Sequence, residues 1–104
     1  MTPRDFYLRQ LLHCGSCGQA MHPCVVRTRP RYACNACAVM VDAEATETIV
    51  WDQATGSRPS LLVRDTPVDR RHEMLERHLR YASVNPMGLT VRLSWHPIHR
   101  RRSI

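Results

Sequence analysis

Four cysteines form two C-x-x-C pairs, and their type and spacing favour metal binding. The pairs are Cys14-Gly15-Ser16-Cys17 and Cys34-Asn35-Ala36-Cys37, with sixteen residues between them. A C-x-x-C turn places two thiolates on one side of an ion, so two such turns supply the four ligands of a tetrahedral zinc site. Because protein sulfurs would fill the shell, no position remains for a reactive water. The spacing therefore predicts one structural zinc ion.

Other uses of the cysteines fit the sequence less well. A redox dithiol needs one pair near a β-α-β pattern, whereas this chain has two pairs and no such pattern. The fifth cysteine, Cys24, is expected to be a small, buried apolar residue of a strand. An odd cysteine beside four disfavours a disulfide framework. With no signal peptide and no apolar stretch of about 18 residues, we expect a reduced, cytoplasmic protein that does not enter a membrane.

The charge of the chain is compatible with nucleic acid as a partner. All fifteen basic residues are arginine, and nine acids leave a formal net charge of +6. Arginine suits bidentate contact with phosphate, although a GC-rich coding bias explains the lack of lysine equally well. Both ends of the chain are basic, and residues 42–60 contain four acids against one arginine. A chain of 104 residues buries only a modest core, so a metal that stabilises it is expected.

The elements that must position the cysteines are predicted to form a zinc β-ribbon. A strand at 20–27 leaves the first pair, a hairpin turn spans 27–31, and 31–33 returns to the second pair. Asp42 is expected to cap a helix of about ten residues with its acids on the polar side. Residues 1–53 are thus predicted to be one unit, a ribbon plus the following helix.

Residues 54–60 are predicted to be a linker because they contain Gly56 and Pro59 and lose all periodicity. The unit after it, 61–104, is predicted to contain a helix, a β-hairpin and a basic tail. The fold class predicted for the whole chain is therefore small α+β: a zinc β-ribbon followed by helix, linker, helix and a C-terminal β-hairpin.

Three local patterns support the second unit. The sequence Thr66-Pro67-Val68-Asp69 predicts a helix that Thr66 caps and that runs to about Arg80. Apolar and polar residues alternate over 89–95, which predicts a strand paired with residues 81–84 across a turn at 85–88. The tail contains Arg100, Arg101 and Arg102, which would add non-specific attraction to phosphate.

The stretch from Asp5 to Met21, which contains Leu11-Leu12-His13-Cys14-Gly15-Ser16-Cys17-Gly18, resembles the entry to the recombinase zinc β-ribbon domain of large serine recombinases. Arg31-Tyr32-Ala33-Cys34 is similar to the tyrosine-then-cysteine strand of that family, and Val41-Asp42-Ala43-Glu44 to the start of its following helix. Residues 71–95 resemble, more loosely, the part of those proteins beyond their coiled coil. The resemblance implies a zinc ribbon that takes part in DNA recombination.

Two departures from the family limit what the resemblance implies. The chain opens at Met1 just before the ribbon, so we expect the catalytic domain, with its serine nucleophile, to be absent. The family's coiled coil, which mediates subunit contacts, would begin near Trp51, but the linker predicted at 54–60 takes its place. We therefore also expect a monomer. The features that carry over are the four zinc ligands and a DNA-facing role for arginines near the ribbon turn.

These patterns favour a non-catalytic, zinc-binding DNA-binding module that contacts phosphates through arginines. The candidate contact residues are Arg27, Arg29 and Arg31 at the ribbon turn, together with Arg92 on the polar side of the last strand. The alternative is a protein-interaction adaptor or regulator that uses the acidic helix at 42–53 and an apolar strand face, possible partners being a recombinase or another protein. Nothing in the sequence forms a nucleophile elbow or a glycine-rich phosphate loop, so we expect no enzyme activity.

Overall fold

The computed structural model describes residues 6–97, which form two three-stranded sheets and two helices. In chain order the elements are β1 (Leu12–Cys14), β2 (His22–Val26), β3 (Arg29–Cys34), β4 (Val39–Asp42), α1 (Ala43–Ser57), α2 (Val68–His78), β5 (Leu79–Asn85) and β6 (Thr90–Trp95). This order confirms the predicted small α+β class. The predicted basic tail, Arg100 to Arg102, lies outside the described residues. Within 6–97, no helix is both long and apolar enough to cross a membrane.

The first sheet is an antiparallel meander of β2, β3 and β4. The turn between β2 and β3 contains only Arg27 and Thr28, and Val26 pairs directly with Arg29. The five-residue turn predicted at 27–31 was therefore wrong. Both turn residues have positive φ, +49° and +67°, the geometry of two-residue turns whose twist matches that of the flanking strands. The strand pairing consequently continues to the tip of the hairpin.

The second sheet joins the two ends of the described chain. β5 and β6 form the predicted C-terminal hairpin, and β1 pairs with β5 in parallel, with Leu12 opposite Ala82 and Cys14 opposite Val84. β5 follows α2 without a loop, so Leu79 and Arg80 are strand residues rather than the end of the helix. The predicted division into residues 1–53, a linker at 54–60 and residues 61–104 stays a prediction. However, β1 belongs to the first of these units and β5 to the second, and the two strands pair in one sheet.

Helix α1 begins as predicted and runs further. The Asp42 carboxylate accepts a hydrogen bond from the backbone N–H of Ala45 at 2.9 Å, which satisfies one free donor of the first turn. The helix continues to Ser57, five residues longer than the ten predicted, because Ala54 and Thr55 are buried against the core. Residues 54–57 of the predicted linker are thus the last turn of α1, and the loop starts at Arg58.

Helix α2 begins without the threonine cap that the sequence suggested. Pro67 is the N-cap residue, and no side chain caps the helix. The hydroxyl of Thr66 instead donates to the carbonyl of Val63 at 2.6 Å. That bond stabilises the preceding turn, in which the backbone N–H of Thr66 donates to the same carbonyl. The predicted threonine cap was wrong because Thr66 lies one residue before the N-cap position, where its side chain turns back toward Val63 instead of toward the first turn of the helix.

One arginine of α2 contacts aromatic residues of the N-terminal segment and of α1. The guanidinium of Arg71 on α2 lies 4.7 Å from the ring centroid of Trp51 and 5.5 Å from that of Tyr7. The two rings meet edge to face with their centroids 6.2 Å apart. The Trp51 indole N–H also donates to the carbonyl of Arg64 at 3.0 Å. These contacts fix the N-terminal segment, α1 and the loop before α2 in one arrangement.

Candidate metal centre and nucleic-acid interface

The four cysteines of the C-x-x-C pairs come together at the ends of three strands. Cys14 ends β1 and Cys17 stands in the turn that follows it, while Cys34 ends β3 and Cys37 stands in the turn before β4. One sulfur of each pair, from Cys14 and from Cys34, is buried, and Cys17 is exposed. The site therefore joins the two sheets at the surface of the molecule.

The sulfur positions fit a tetrahedral ion. All four Sγ atoms lie within 4.8 Å of one another, with Cys14 3.9 Å from Cys37 and Cys17 3.4 Å from Cys34. A zinc ion with bonds of about 2.3 Å to four sulfurs would set the sulfur separations at about 3.8 Å. The observed separations bracket that value. Four thiolates are also the donor set that soft or borderline metals prefer.

Each C-x-x-C turn is closed by a residue with a left-handed backbone. Gly18 follows Cys17 with φ of +79°, and Ala38 follows Cys37 with φ of +55°. Glycine adopts this conformation freely, whereas alanine strains by about 1–2 kcal/mol. In the first turn, the N–H of Gly18 donates to the carbonyl of Cys14 at 2.8 Å. The two turns therefore end in the same backbone conformation, as expected of two halves of a single site.

The surroundings of the thiols shift their pKa values in opposite directions. Burial acts to raise the pKa of Cys14, but the backbone N–H groups of Ser16 and Cys17 donate to its sulfur and lower the pKa from 9.0 to about 7. The neighbouring thiol of Cys17, together with burial, raises the pKa of Cys37 to about 12. The lowered pKa makes Cys14 the thiol that ionises more readily than Cys37, and a divalent cation would supply the charge that deprotonates the rest of the cluster.

The first cysteine turn packs directly on β5. The backbone N–H of Gly15 donates to the carbonyl of Val84 at 2.8 Å. A Cβ atom on Gly15 would lie 3.0 Å from that carbonyl oxygen and 3.2 Å from the hydroxyl of Ser83, too close to be accommodated without movement. The sequence does not predict this contact, because Ser83 is about 70 residues away from Gly15 and no local pattern marks it. A metal in the site would therefore also fix the second sheet.

The structure places three of the four predicted DNA-contacting arginines on the β2–β3 hairpin. Arg27 is in the turn, and Arg29 and Arg31 are on one face of β3, where alternate residues are about 6.8 Å apart. Arg27 and Arg29 are exposed and Arg31 is half-buried. No residue within 6–97 forms an ion pair with any of them. Because β2 contributes no buried residue, the hairpin extends from the core with these charges available.

Arg92, the fourth predicted contact residue, lies on the other sheet, beside the first cysteine turn. It pairs with Ser83 on β5, which pairs in turn with His13 on β1. The ring of His13 packs against that of Tyr81, with centroids 4.9 Å apart. Arg92 borders a groove of about 580 Å³, and none of the described residues that line it is acidic. The structure therefore does not bring Arg92 together with the hairpin arginines.

The acids of α1 do not form an exposed acidic face, contrary to expectation. Glu47 is buried and accepts a hydrogen bond from the hydroxyl of Tyr32 at 2.7 Å. Asp42 caps the helix, and Asp52 lies 3.6 Å from Arg64 in an ion pair. Of the four, Glu44 alone is exposed with no described partner. Asp42 and Glu47 are thus committed to contacts within the fold, whereas Glu44 and Asp52 remain at the surface.

Fold and site together define a small α+β protein with a four-cysteine site able to hold a metal ion. A chain from a solved structure on the sequence requirements of the Listeria innocua prophage attP site has a similar fold, with a TM-score of 0.63 at 15% sequence identity. The similarity covers 86% of this chain and 42% of that one, so this chain spans less than half of its length. Neither protein-family models nor curated proteins gave a match to the sequence.

Proposed function

We propose that this chain is a non-catalytic, zinc-binding DNA-binding module related to the C-terminal domains of serine recombinases. The observation that carries the proposal is the β2–β3 hairpin, which is rooted in the four-cysteine cluster and presents three arginines without ion-pair partners in 6–97. Similarity in fold to a chain studied with a prophage attP site supports DNA as the partner.

Zinc is the ion that this donor set suits best. Four cysteine sulfurs at tetrahedral separations are typical of structural zinc sites, and they leave no position for a substrate or an activated water. We therefore assign the ion a role in holding the hairpin and both sheets in place, and assign no enzyme activity to the chain. Free thiolates need a reducing environment, so the proposal includes a cytoplasmic location.

The arginines would hold DNA mainly through its phosphates. Arg29 and Arg31 project from one face of β3. The distance between them along the strand is close to the distance along the DNA axis that two phosphates of one strand span. Thr28, next to Arg27, is a β-branched residue with positive φ, and such strained positions are concentrated at functional sites. Arg92 would contact the backbone from the second sheet. We propose that the chain binds as a monomer, because residues 58–67 form a short loop without heptads.

Binding of the zinc-loaded protein to duplex DNA should weaken steeply with salt. Each phosphate neutralised adds about −0.9 to the slope of log affinity against log salt concentration, so four arginine contacts predict about −3.6. Fluorescence anisotropy of a labelled duplex across a salt series measures this slope. Preference between duplex sequences should stay within about 1–3 kcal/mol, the value of one bidentate arginine–guanine pair. A slope near zero, or a protein partner retained at high salt, would contradict the proposal.

A further inference from the structure

We propose that a basic pocket at the opposite end of α1 from the cysteine cluster binds a phosphate group. This pocket, here called the Arg58 pocket, has a volume of about 540 Å³. It is lined by Arg58, Arg77, His78, His96 and Trp95, together with the loop that follows α1. Of the described residues that line it, none is acidic. The assignment does not depend on DNA binding by the hairpin.

Three elements converge to build the Arg58 pocket. Helix α1 ends at Ser57 and α2 at His78, while β6 ends at Trp95. The backbone N–H of His96 donates to the carbonyl of His78 at 2.9 Å, which joins the end of β6 to the end of α2. In the loop, Leu62 is buried and its N–H donates to the carbonyl of Arg58 at 2.9 Å. The walls are thus anchored in the core.

The guanidinium of Arg58 is held in a position suited to an anion. It lies 4.8 Å from the ring centroid of Trp95, so the guanidinium makes a cation–π contact with the indole face. A guanidinium stacked in this way keeps the N–H groups at its edge free to donate to two oxygens of one phosphate. No residue within 6–97 accepts a side-chain hydrogen bond from Arg58 or Arg77. Two histidines and the hydroxyls of Ser57 and Ser60 add further donors.

A purely structural role would have these cations balance the negative ends of the two helix dipoles. One carbonyl at each helix end already has a backbone partner, since the N–H of Arg58 donates to the carbonyl of Ala54 and the N–H of Leu79 donates to that of Leu75. Balancing a dipole also requires no concave space and no stacked guanidinium. The convergence of unpaired cations around a cavity is instead the arrangement expected of an anion site. A phosphate ester, supplied by a DNA backbone or by a small nucleotide, fits this chemistry.

NMR of the full, zinc-loaded, ¹⁵N-labelled chain tests the Arg58 pocket. Inorganic phosphate, titrated at constant ionic strength against chloride, should shift the amide resonances of Ser57, Leu61, His78 and His96 with an affinity on the order of millimolar. Arg58→Gln and Arg77→Gln should each weaken this affinity about tenfold, the loss of one charged contact. Arg70→Gln, an exposed residue of α2 outside the pocket, is the matched control and should change nothing.

Competition then identifies the source of the phosphate. Displacement of inorganic phosphate by duplex DNA assigns the pocket to the nucleic-acid backbone, whereas displacement by a nucleoside monophosphate alone assigns it to a small ester. The proposal fails if neither displaces it, if chloride gives the same shifts, or if Arg77→Gln, which is exposed and should fold normally, retains full affinity. Removal of the hairpin arginines should leave these shifts intact, so failure of the DNA-binding proposal would be recognised separately.

Discussion

Cys34→Ser should unfold the ribbon and release the metal. The Cys34 sulfur is buried at the end of β3, and its loss leaves three ligands for an ion that needs four. Binding of a structural zinc ion contributes on the order of 10 kcal/mol to the folding of small zinc domains, which is comparable to the whole stability of a chain of this size. We expect loss of the dispersed amide resonances of residues 12–42 and less than one zinc per chain by elemental analysis.

Cys24→Ser is the matched control for this experiment. Cys24 is half-buried on β2 and does not belong to the four-cysteine cluster. The variant should keep one zinc per chain and a folded spectrum, with at most a modest loss of stability from a polar group in a half-buried position. A Cys34→Ser protein that remains folded would show that the fold does not depend on the metal, and a wild-type protein that folds without zinc would show the same.

Replacing Arg27 and Arg29 together by alanine should have the largest effect on DNA binding. Both side chains are exposed at the end of the hairpin, so their loss should leave the fold and zinc content unchanged. If each contacts one phosphate, the salt slope should become shallower by about 1.8 units. Arg31 is left in place because it is half-buried, and its replacement would also alter packing. Anisotropy of a labelled duplex over a salt series measures the change.

The control removes the same charge elsewhere. Arg64 and Arg70 are exposed and lie outside the hairpin, so the double alanine variant also lowers the net charge by two. Its salt slope should match that of the wild type, apart from a weak long-range effect that fades where the Debye length is about 8 Å. If the two double variants lose affinity equally, net charge rather than the hairpin determines binding, and the contact surface has been misassigned.

The cysteine cluster and the C-terminal hairpin could be predicted because their signals are local. Each C-x-x-C pair holds its two sulfurs within four residues of chain, and the alternation over 89–95 predicts which side of β6 packs against the core. The N-cap hydrogen bond at Asp42 likewise joins two residues that are only three positions apart. In each case the residues that determine the structure are close in sequence.

Other features depended on contacts distant in sequence. The parallel pairing of β1 with β5 joins residues about 70 positions apart, and neither strand signals its partner. Glu47 appeared to be a solvated acid until the fold placed the hydroxyl of Tyr32 2.7 Å away. This bond allows a carboxylate on the buried face of α1, so the prediction that the acids of this helix lie on its polar side was wrong for Glu47. The strand positions of Arg29 and Arg31 likewise followed from a two-residue turn that contains no glycine.

DNA binding measured before and after removal of the metal tests the central claim most directly. A strong chelator should abolish binding of the wild-type protein to a labelled duplex at low salt, because the hairpin loses the site in which it is rooted. One molar equivalent of zinc should then restore the original affinity and salt slope. Undiminished binding by protein that elemental analysis shows to be free of zinc would contradict the account.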